Sequence, residues 1–264
     1  MKADIPALAT RELTISFGGQ VAVNAVTCAF RQGTLTAIVG PNGAGKTTYF
    51  NLISGQLQPS NGSVSLFGAD ITRFGAPQRA RRGLGRAFQL TNLYPNLSVF
   101  ENVRLAVQSV AQIRFDLLSI AARNARLREE AVRWLDRVKL TPRAALSAAA
   151  LSHGDQRKLE VAILLALKPR VFMFDEPTAG MSLDEVPVIL DLIDEIKLEG
   201  DKTVLLVEHR MDVIKRLADR IVVLQDGAMI ADGPPAEVVA LPAVEQAYLG
   251  MQMGAKPQRE AAHD

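Results

Sequence analysis

Hydrophobic residues in this chain fall mainly into short runs that end at glycine or at charged residues. Residues 8–17 and 21–30 predict two strands, with a turn at Gly18-Gly19 between them. Residues 34–39 are apolar and rich in β-branched side chains, and the run ends at Gly40, which predicts a buried strand followed by a loop. Further runs predict strands over residues 63–67, 171–174, 203–207 and 221–224.

The other apolar positions follow a helical spacing. Helices are predicted over 46–54, from about 156 to 167, and over 182–198. The last of these starts with Ser182 and Glu185 at the spacing of a capping box. Strands that alternate with helices indicate a mostly parallel sheet covered by helices.

The middle of the chain is helical in pattern from about residue 98 to 140 and contains no good strand. This block interrupts the predicted sheet in sequence, so we interpret residues 90–165 as an inserted helical subdomain. Residues 251–264 are polar and aperiodic, which predicts a disordered tail.

The composition is ordinary for a soluble globular enzyme, and a net charge of +2 favours neither nucleic acid nor an acidic membrane surface as a partner. One cysteine, Cys28 in an apolar run, cannot form an internal disulfide, which fits a reducing cytoplasm. No signal peptide is visible. The apolar run from Val161 to Leu167 is far shorter than the ~20 residues that cross a bilayer. If this protein acts at a membrane, we expect another chain to span it.

Residues 40–48, Gly-Pro-Asn-Gly-Ala-Gly-Lys-Thr-Thr, match the phosphate-loop pattern G-x-x-x-x-G-K-[ST] between a predicted strand and a predicted helix. Glycines let successive N–H groups face a phosphate, and the helix adds its positive end. A lysine then offers a cation to the β- and γ-phosphates, and a threonine a hydroxyl to Mg²⁺. A chance glycine turn is disfavoured by this context. The residues expected to bind ATP are Asn42, Gly43, Gly45, Lys46, Thr47 and Thr48.

Asp175 and Glu176 directly follow the apolar run at 171–174. A buried strand would deliver both acids at its carboxyl end, where open α/β sheets bind ligands. Asp175 can then hold Mg²⁺, directly or through water, and Glu176 can accept a proton from an attacking water. A strand ending in a solvated turn is the alternative, and the phosphate loop upstream argues against it.

Residues 151–157, Leu-Ser-His-Gly-Asp-Gln-Arg, resemble the LSGGQ signature of the ABC transporter nucleotide-binding subunits. The resemblance implies that this segment opens a helix facing the γ-phosphate held by a second subunit, so that Ser152 and Gly154 bind ATP in trans. A simple Ser-Gly helix cap is the alternative. His153 and Asp155 replace the commoner glycine and glutamine. Asp155 is not assigned to ligand contact, because a carboxylate beside a phosphate is unfavourable.

Other positions match the family singly. Phe17 lies where an aromatic ring of the family stacks on adenine. A core aromatic beside a glycine turn would give the same sequence pattern. Gln89 resembles the Q-loop glutamine that senses Mg²⁺ or water and links to the helical subdomain. His209 resembles the switch histidine that contacts the γ-phosphate. Ser182 stands where the D-loop commonly ends in aspartate, which puts a cross-dimer contact through that side chain in doubt.

The resemblance covers about residues 5–250 and implies an α/β fold: a P-loop NTPase (RecA-like) core, an N-terminal antiparallel β subdomain and an inserted α-helical subdomain. The core is expected over 1–89 and 166–250, and the helical signature subdomain over 90–165. The implied ligands are ATP and Mg²⁺. Mg²⁺ is expected at Thr47, Gln89 and Asp175, and catalysis at Glu176, His209 and Gln89.

Within the family, the chain resembles the branched-chain amino acid importer ATPases of the LivG type. The residues that carry this are 85–89, 97–103, 154–160 and 247–250. The resemblance implies a homodimer, or a heterodimer with a paralogous ATPase, bound to two transmembrane permease subunits at the cytoplasmic face of the inner membrane. A periplasmic or extracellular solute-binding protein would take part indirectly, and no nucleic acid would.

Several alternatives stay open. Urea, short amides or aromatic acids could replace branched-chain amino acids as the solute, because no residue of this chain is expected to touch it. A soluble ABC ATPase that acts on chromosomes would need a long coiled coil, and one that acts in translation would carry two cassettes. A soluble ABC ATPase of the cluster-assembly type is harder to exclude by size. A non-hydrolysing regulator would lack Glu176 or His209, and both are present. An exporter is disfavoured because exporter cassettes are often fused to their membrane domain.

Overall fold

Ten strands build the sheets of the described chain, which in this computed structural model comprises residues 5–87, 93–111 and 120–244. The strands, in chain order, are β1 Leu8–Phe17, β2 Gln20–Phe30, β3 Leu35–Val39, β4 Asn61–Leu66, β5 Ala69–Asp70, β6 Leu84–Ala87, β7 Val171–Asp175, β8 Thr203–Val207, β9 Arg220–Gln225 and β10 Ala228–Gly233. They form a four-stranded antiparallel sheet, β2-β1-β4-β5, and a six-stranded sheet, β10-β9-β3-β8-β7-β6.

The six-stranded sheet is parallel except for β10, which pairs antiparallel with β9. Every residue of β3, β7 and β8 is buried, as expected for parallel strands with both faces covered. The predicted α/β class with a mostly parallel, helix-covered sheet is therefore confirmed. Strands β6, β7, β8, β3 and β9 run parallel, so their carboxyl ends lie at the same edge of the sheet.

Eight α-helices belong to the described residues: α1 Lys46–Ser54, α2 Ala76–Ala80, α3 Val99–Val110, α4 Ile120–Arg137, α5 His153–Ala166, α6 Val186–Leu198, α7 Met211–Leu217 and α8 Pro235–Val239. Two short 3-10 helices, Thr141–Arg143 and Ala148–Ala150, lie between α4 and α5. Helices α3, α4 and α5 pack against one another around Val103, Leu135 and Leu159, each fully buried. The helical pattern predicted from about 98 to 140 agrees with α3 and α4. The tail predicted at 251–264 lies outside the described residues.

Two predicted helix starts are wrong. The helix predicted from Ser182 begins at Val186, with Glu185 at its N-cap. The Ser182 hydroxyl donates to the Glu185 carboxylate at 3.0 Å instead of accepting from its N–H, so the capping box is incomplete. Residues 183–185 form a turn before the helix. The helix predicted from about 156 begins earlier, at His153, because the Ser152 hydroxyl accepts from the Asp155 N–H at 3.2 Å and caps it.

A buried arginine secures the far end of α1, the helix that follows the phosphate loop. Arg79 is fully buried and donates to the carbonyl groups of Leu52 and Ile53, in the last turn of α1, and to those of Thr72 and Phe74. Carbonyl groups in the last turn of a helix have no donor within the helix, and Arg79 supplies a donor to two of those in α1. Burial lowers the pKa of Arg79 to about 10, so the guanidinium stays charged at neutral pH.

Replacing Arg79 with methionine should lower the free energy of unfolding by about 3 kcal/mol, because buried carbonyl groups lose their donor. Urea unfolding of the purified protein measures this change. Arg81→Met removes an exposed arginine from the same segment and should change the same quantity by less than about 0.5 kcal/mol. Equal effects of the two substitutions would contradict the role given to Arg79.

Candidate nucleotide-binding site

The phosphate loop runs from the end of β3 to the start of α1 and packs against the antiparallel sheet. Gly45 has a φ of 91° and Gly227 a φ of 77°, and both lie against the carbonyl group of Ala22 in β2. A Cβ atom on Gly45 would collide with the Ala22 oxygen. Glycine is therefore required at position 45 by its backbone angle and by its packing.

The N-terminus of α1 is free to bind an anion. No side chain caps it, and no acidic residue lies in its first turn. The Lys46 ammonium group donates to the Gly40 and Pro41 carbonyls at 2.8 and 2.9 Å, so it lies across the loop. Burial lowers the pKa of Lys46, and the nearby Glu176 and Asp175 carboxylates oppose this shift. The loop thus combines backbone N–H groups, a helix N-terminus and a positive side chain.

A cavity of about 430 Å³ opens in front of this loop. Its lining contains all six loop residues predicted to bind ATP, together with Phe17 and Glu176. Phe17 is 50% exposed, which excludes the alternative interpretation of this residue as a core aromatic beside a glycine turn. Six further residues line the cavity and were missed: Gln20, Val21, Ala22, Ala44, Asp226 and Gly227.

The two acids occupy different environments at the end of β7. Asp175 is 7% exposed and accepts from Arg86 at 2.8 Å. Arg86 also donates to Asn51 and Ser54 of α1, so this guanidinium joins β6, β7 and α1. Burial raises the pKa of Asp175, while the Arg86 cation lowers it. Asp175 is absent from the residues that line the cavity.

Glu176 reaches the cavity wall from a left-handed backbone conformation. Its φ is 50°, an arrangement that costs a non-glycine residue about 1 kcal/mol, and its N–H donates to the Val207 carbonyl. The Glu176 side chain is 43% exposed. His209, two residues after β8, places its Nδ1 atom 3.9 Å from Glu176 Oε1. The structure therefore brings together these two predicted catalytic residues.

A buried pair lies behind these two residues. The Thr178 hydroxyl donates to the Glu208 carboxylate at 2.8 Å, and Glu208 is 1% exposed. Burial raises the pKa of Glu208, against the opposing effect of the Thr178 hydrogen bond. This contact joins the segment that follows Glu176 to the residue that precedes His209.

The signature segment stands apart from the cavity. Ser152 is exposed at the N-terminus of α5, Gly154 is buried in its first turn, and neither lines the cavity. The Asp155 carboxylate pairs with Lys158 at 3.0 Å and with Arg143, so it is engaged within its own part of the chain. Gln89 lies outside the described residues.

The sequence matches the ABC transporter family over residues 23–179, which include the phosphate loop, the signature segment, Asp175 and Glu176. The chain belongs to the ABC transporter family. This ABC protein is 38% identical over 250 residues to the high-affinity branched-chain amino acid transport ATP-binding protein BraF of Pseudomonas aeruginosa, an alignment that covers 93% of this chain and 98% of the relative. It is 34% identical to LivG of Escherichia coli, with the same coverage.

Solved ABC cassettes share the fold. The ADP conformation of an ATP-binding cassette of an ABC transporter aligns with a TM-score of 0.78 and 28% identity, over 92% of this chain and 98% of the other. A dimeric post-hydrolysis state of a cassette bound to ADP and Pi aligns with a TM-score of 0.75 and 26% identity, over 86% and 98%. ABC cassettes of this kind bind nucleotides and hydrolyse ATP, and this chain is an ATPase of that family.

Of the cavity residues that the sequence analysis missed in this ABC cassette, two form the turn between β9 and β10, three open strand β2, and Ala44 belongs to the phosphate loop. Asp226-Gly227 joins β9 to β10, and an Asp-Gly pair after an apolar run is a recognised hairpin signal. The signal was present, but nothing local shows that β9 pairs with β3 and so brings its turn beside the phosphate loop. Arg86 was noticed only within a resembling motif, and its contact with Asp175 joins residues far apart in sequence.

Phe17 offers a half-exposed ring at the cavity, and we expect it to stack on adenine. Phe17→Ala should raise the Kd for ATP and for ADP alike, by about fivefold, because both nucleotides carry the same base. Titration with fluorescent nucleotide analogues measures this, and Phe17→Tyr should retain affinity. A loss confined to ATP, or no loss at all, would contradict stacking.

Proposed function

We propose that this ABC cassette energises an importer of branched-chain amino acids or of a related small solute, such as urea, a short amide or an aromatic acid. The observation that carries the proposal is the cavity that Lys46, the N-terminal residues of α1 and Glu176 line together. The importer assignment is supported by the likeness to BraF and LivG along 93% of the chain. These transport relatives favour an importer over a cluster-assembly ATPase.

Each ATP site is then composite. The phosphate loop and Phe17 hold the nucleotide, and Ser152 and Gly154 of a second subunit cap its γ-phosphate. The position of Ser152 outside the cavity, exposed at a helix N-terminus, supports this arrangement, because such an end attracts anions. Two copies, or one copy and a paralogue, would close head to tail over two ATP molecules. Closure would depend on ATP because each γ-phosphate bridges both chains.

Hydrolysis is an in-line attack of water on the γ-phosphorus, with ADP as the leaving group and inorganic phosphate as the second product. Glu176 accepts a proton from the attacking water, for which its exposed position at the cavity wall is suited. His209 contacts the γ-phosphate from beside Glu176. Gln89 is proposed to sense the same region, although it lies outside the described residues.

The donor set fits Mg²⁺. Thr47 lines the cavity. Asp175, at the end of β7, would supply one carboxylate, and Gln89 is the third proposed ligand. Within the described ranges no cluster of three or more His, Cys, Asp or Glu side chains could hold a metal. Mg²⁺ needs no such cage, because it keeps water ligands and shares phosphate oxygens. When bound, the ion neutralises charge on the β- and γ-phosphates.

The proposed assembly contains two transmembrane permease subunits and, indirectly, a solute-binding protein in the periplasm or outside the cell. This cassette would sit peripherally at the cytoplasmic face of the inner membrane, without nucleic acid. None of the described helices is both long and apolar enough to cross a bilayer. ATP-driven closure would pull the helical regions together and switch the permeases between inward- and outward-facing states.

Glu176→Gln should keep ATP binding and lower steady-state turnover by at least about a hundredfold, because the proton acceptor is lost. Phosphate release measures turnover, and size-exclusion chromatography with ATP should show an accumulated dimer. Glu237→Gln, at an exposed glutamate of α8, is the matched control and should behave as wild type. Near-normal hydrolysis by Glu176→Gln would reject the assigned role.

The importer assignment predicts ATP-dependent leucine uptake. We expect the cassette to co-purify with its permease subunits, and liposomes that contain the complex to accumulate labelled leucine when ATP is enclosed and the binding protein is added. Lys46→Ala should abolish uptake. Uptake of urea or benzoate in place of leucine would reassign the solute, and a cassette that never associates with membrane subunits would favour the cluster-assembly alternative.

A further inference from the structure

A second cavity opens at the edge of the six-stranded sheet that lies opposite the nucleotide cavity. Its volume is about 750 Å³, within the range of about 300–1,000 Å³ that is usual for small-molecule sites. Its lining includes Thr34, which precedes β3, and Asp219 and Arg220, at the start of β9. The nucleotide cavity adjoins the carboxyl ends of the same two strands, and the two cavities share no lining residue. The length of β3, about 16 Å, therefore separates them.

The charged side chains of the second cavity are paired within the protein, except for one. Arg220 pairs with Asp232, and Asp219 pairs with Lys197 at 2.7 Å. Arg31 is exposed and forms no ion pair with any residue that the structure describes. A guanidinium group binds a carboxylate through two parallel hydrogen bonds. The cavity thus offers an uncompensated cation that suits a small anionic group.

Asp219 supplies a negative charge in the same lining. Its side chain is 39% exposed, and its two oxygens accept from Lys197 and from the Leu35 N–H at 2.8 Å. A carboxylate has about four lone-pair sites, so both oxygens can accept further hydrogen bonds. The contact with the first residue of β3 also fixes the position of Asp219. An ammonium group in the cavity could therefore donate to Asp219 without displacing its present partners.

Apolar residues form another part of the lining. Ile5, which is 53% exposed, lies there with Pro6 and Pro234. Ala29 of β2 and Arg31 just beyond it are both exposed, and because they are two positions apart they lie on the same side of the chain. The cavity therefore places apolar surface beside groups of both charges.

The walls are held in place by contacts within the protein. The Arg220 guanidinium donates to the Asp232 carboxylate and to the Ala29 carbonyl, so it joins β9, β10 and β2. The Thr34 hydroxyl donates to the Arg31 carbonyl at 2.9 Å and closes the turn between β2 and β3. A cavity with walls that are already ordered loses little conformational entropy when a ligand enters.

We propose that this cavity binds a small zwitterion with an apolar side chain, that is, a free apolar amino acid. Arg31 binds the carboxylate, Asp219 accepts from the ammonium group, and the side chain contacts Ile5 and Pro234. A ligand with only one of the two charges leaves one protein group without a partner, which gives the site its selectivity. The inference goes beyond the proposed function, because neither the nucleotide nor a permease takes part in this binding.

Calorimetric titration of the purified full-length protein with leucine tests the site. We expect saturable binding, and an affinity about tenfold lower for 4-methylpentanoate, which lacks the ammonium group, and for 3-methylbutylamine, which lacks the carboxylate. Saturating ADP should change the Kd for leucine by less than about twofold, because ADP occupies the other cavity. Displacement of leucine by ADP would overturn the proposal, and so would the absence of saturable binding up to about 10 mM leucine.

Two variants separate the contacts with the two charges. Arg31→Met should weaken the binding of leucine and of 4-methylpentanoate alike, by about tenfold, because both carry the carboxylate. Asp219→Asn keeps an oxygen for the Leu35 N–H, and it should weaken leucine by about tenfold while changing 4-methylpentanoate by less than about twofold. Equal effects of Asp219→Asn on the two ligands would contradict the assigned contact with the ammonium group.

The matched control is Arg11→Met, which removes an exposed arginine of β1 that lies outside this cavity. It should bind leucine as the wild type does, and a loss equal to that of Arg31→Met would overturn the proposal. ATP hydrolysis by all three variants should stay within about twofold of wild type, because none of the substituted residues lines the nucleotide cavity. Absent leucine binding with normal hydrolysis would reject the amino acid site and leave the proposed function standing.

Discussion

Strands β3, β7 and β8 lie beside one another in register, and each carries its polar residues just beyond its carboxyl end. The phosphate loop follows β3, Glu176 follows β7, and His209 follows β8. Because the strands run parallel, three segments far apart in sequence meet at one edge of the sheet. The buried side chains of these strands fix that edge, and the positions of the phosphate loop, Glu176 and His209 depend on it.

Much of this arrangement could be predicted from local patterns. The apolar runs identified the buried strands, and the loop pattern with its flanking elements identified six of the seven loop residues that line the cavity. The start of α6 could not be predicted, because the Ser182 hydroxyl bonds to the Glu185 carboxylate and not to its backbone. The short strand β6, with a glycine among its four residues, has too weak a pattern to be recognised.

The contacts of Arg79, Arg86 and Lys158 were also beyond sequence analysis. Each arginine or lysine is compatible with an exposed helix or strand position, and each instead joins elements that are distant in the chain. Local spacing carries no information about such pairings, since they depend on the tertiary packing of the strands and helices. Asp155 and Ser182 were recognisable as departures from the family pattern, but only the structure shows that Lys158 and Glu185 link their side chains.

Binding at this site exchanges one set of hydrogen bonds for another. Lys46 already donates to two loop carbonyls, and Asp175 already accepts from Arg86. Phosphate oxygens and a metal ion would compete with these partners. The net affinity is therefore the difference between the hydrogen bonds of the bound state and those already made in the free protein. When the product leaves, Lys46 and Asp175 can return to these partners, so neither charge is left buried without a hydrogen bond.

The carbonyl group of Ala22 has a consequence for how the site can form. It lies between Gly45 of the phosphate loop and Gly227 of the β9–β10 turn, although it belongs to the antiparallel sheet. The conformation of the phosphate loop therefore depends on a contact with the antiparallel sheet, and not only on the parallel strands that flank the loop. A fragment restricted to the parallel strands would contain every residue of the phosphate-loop motif and still lack the surface against which that loop adopts its conformation.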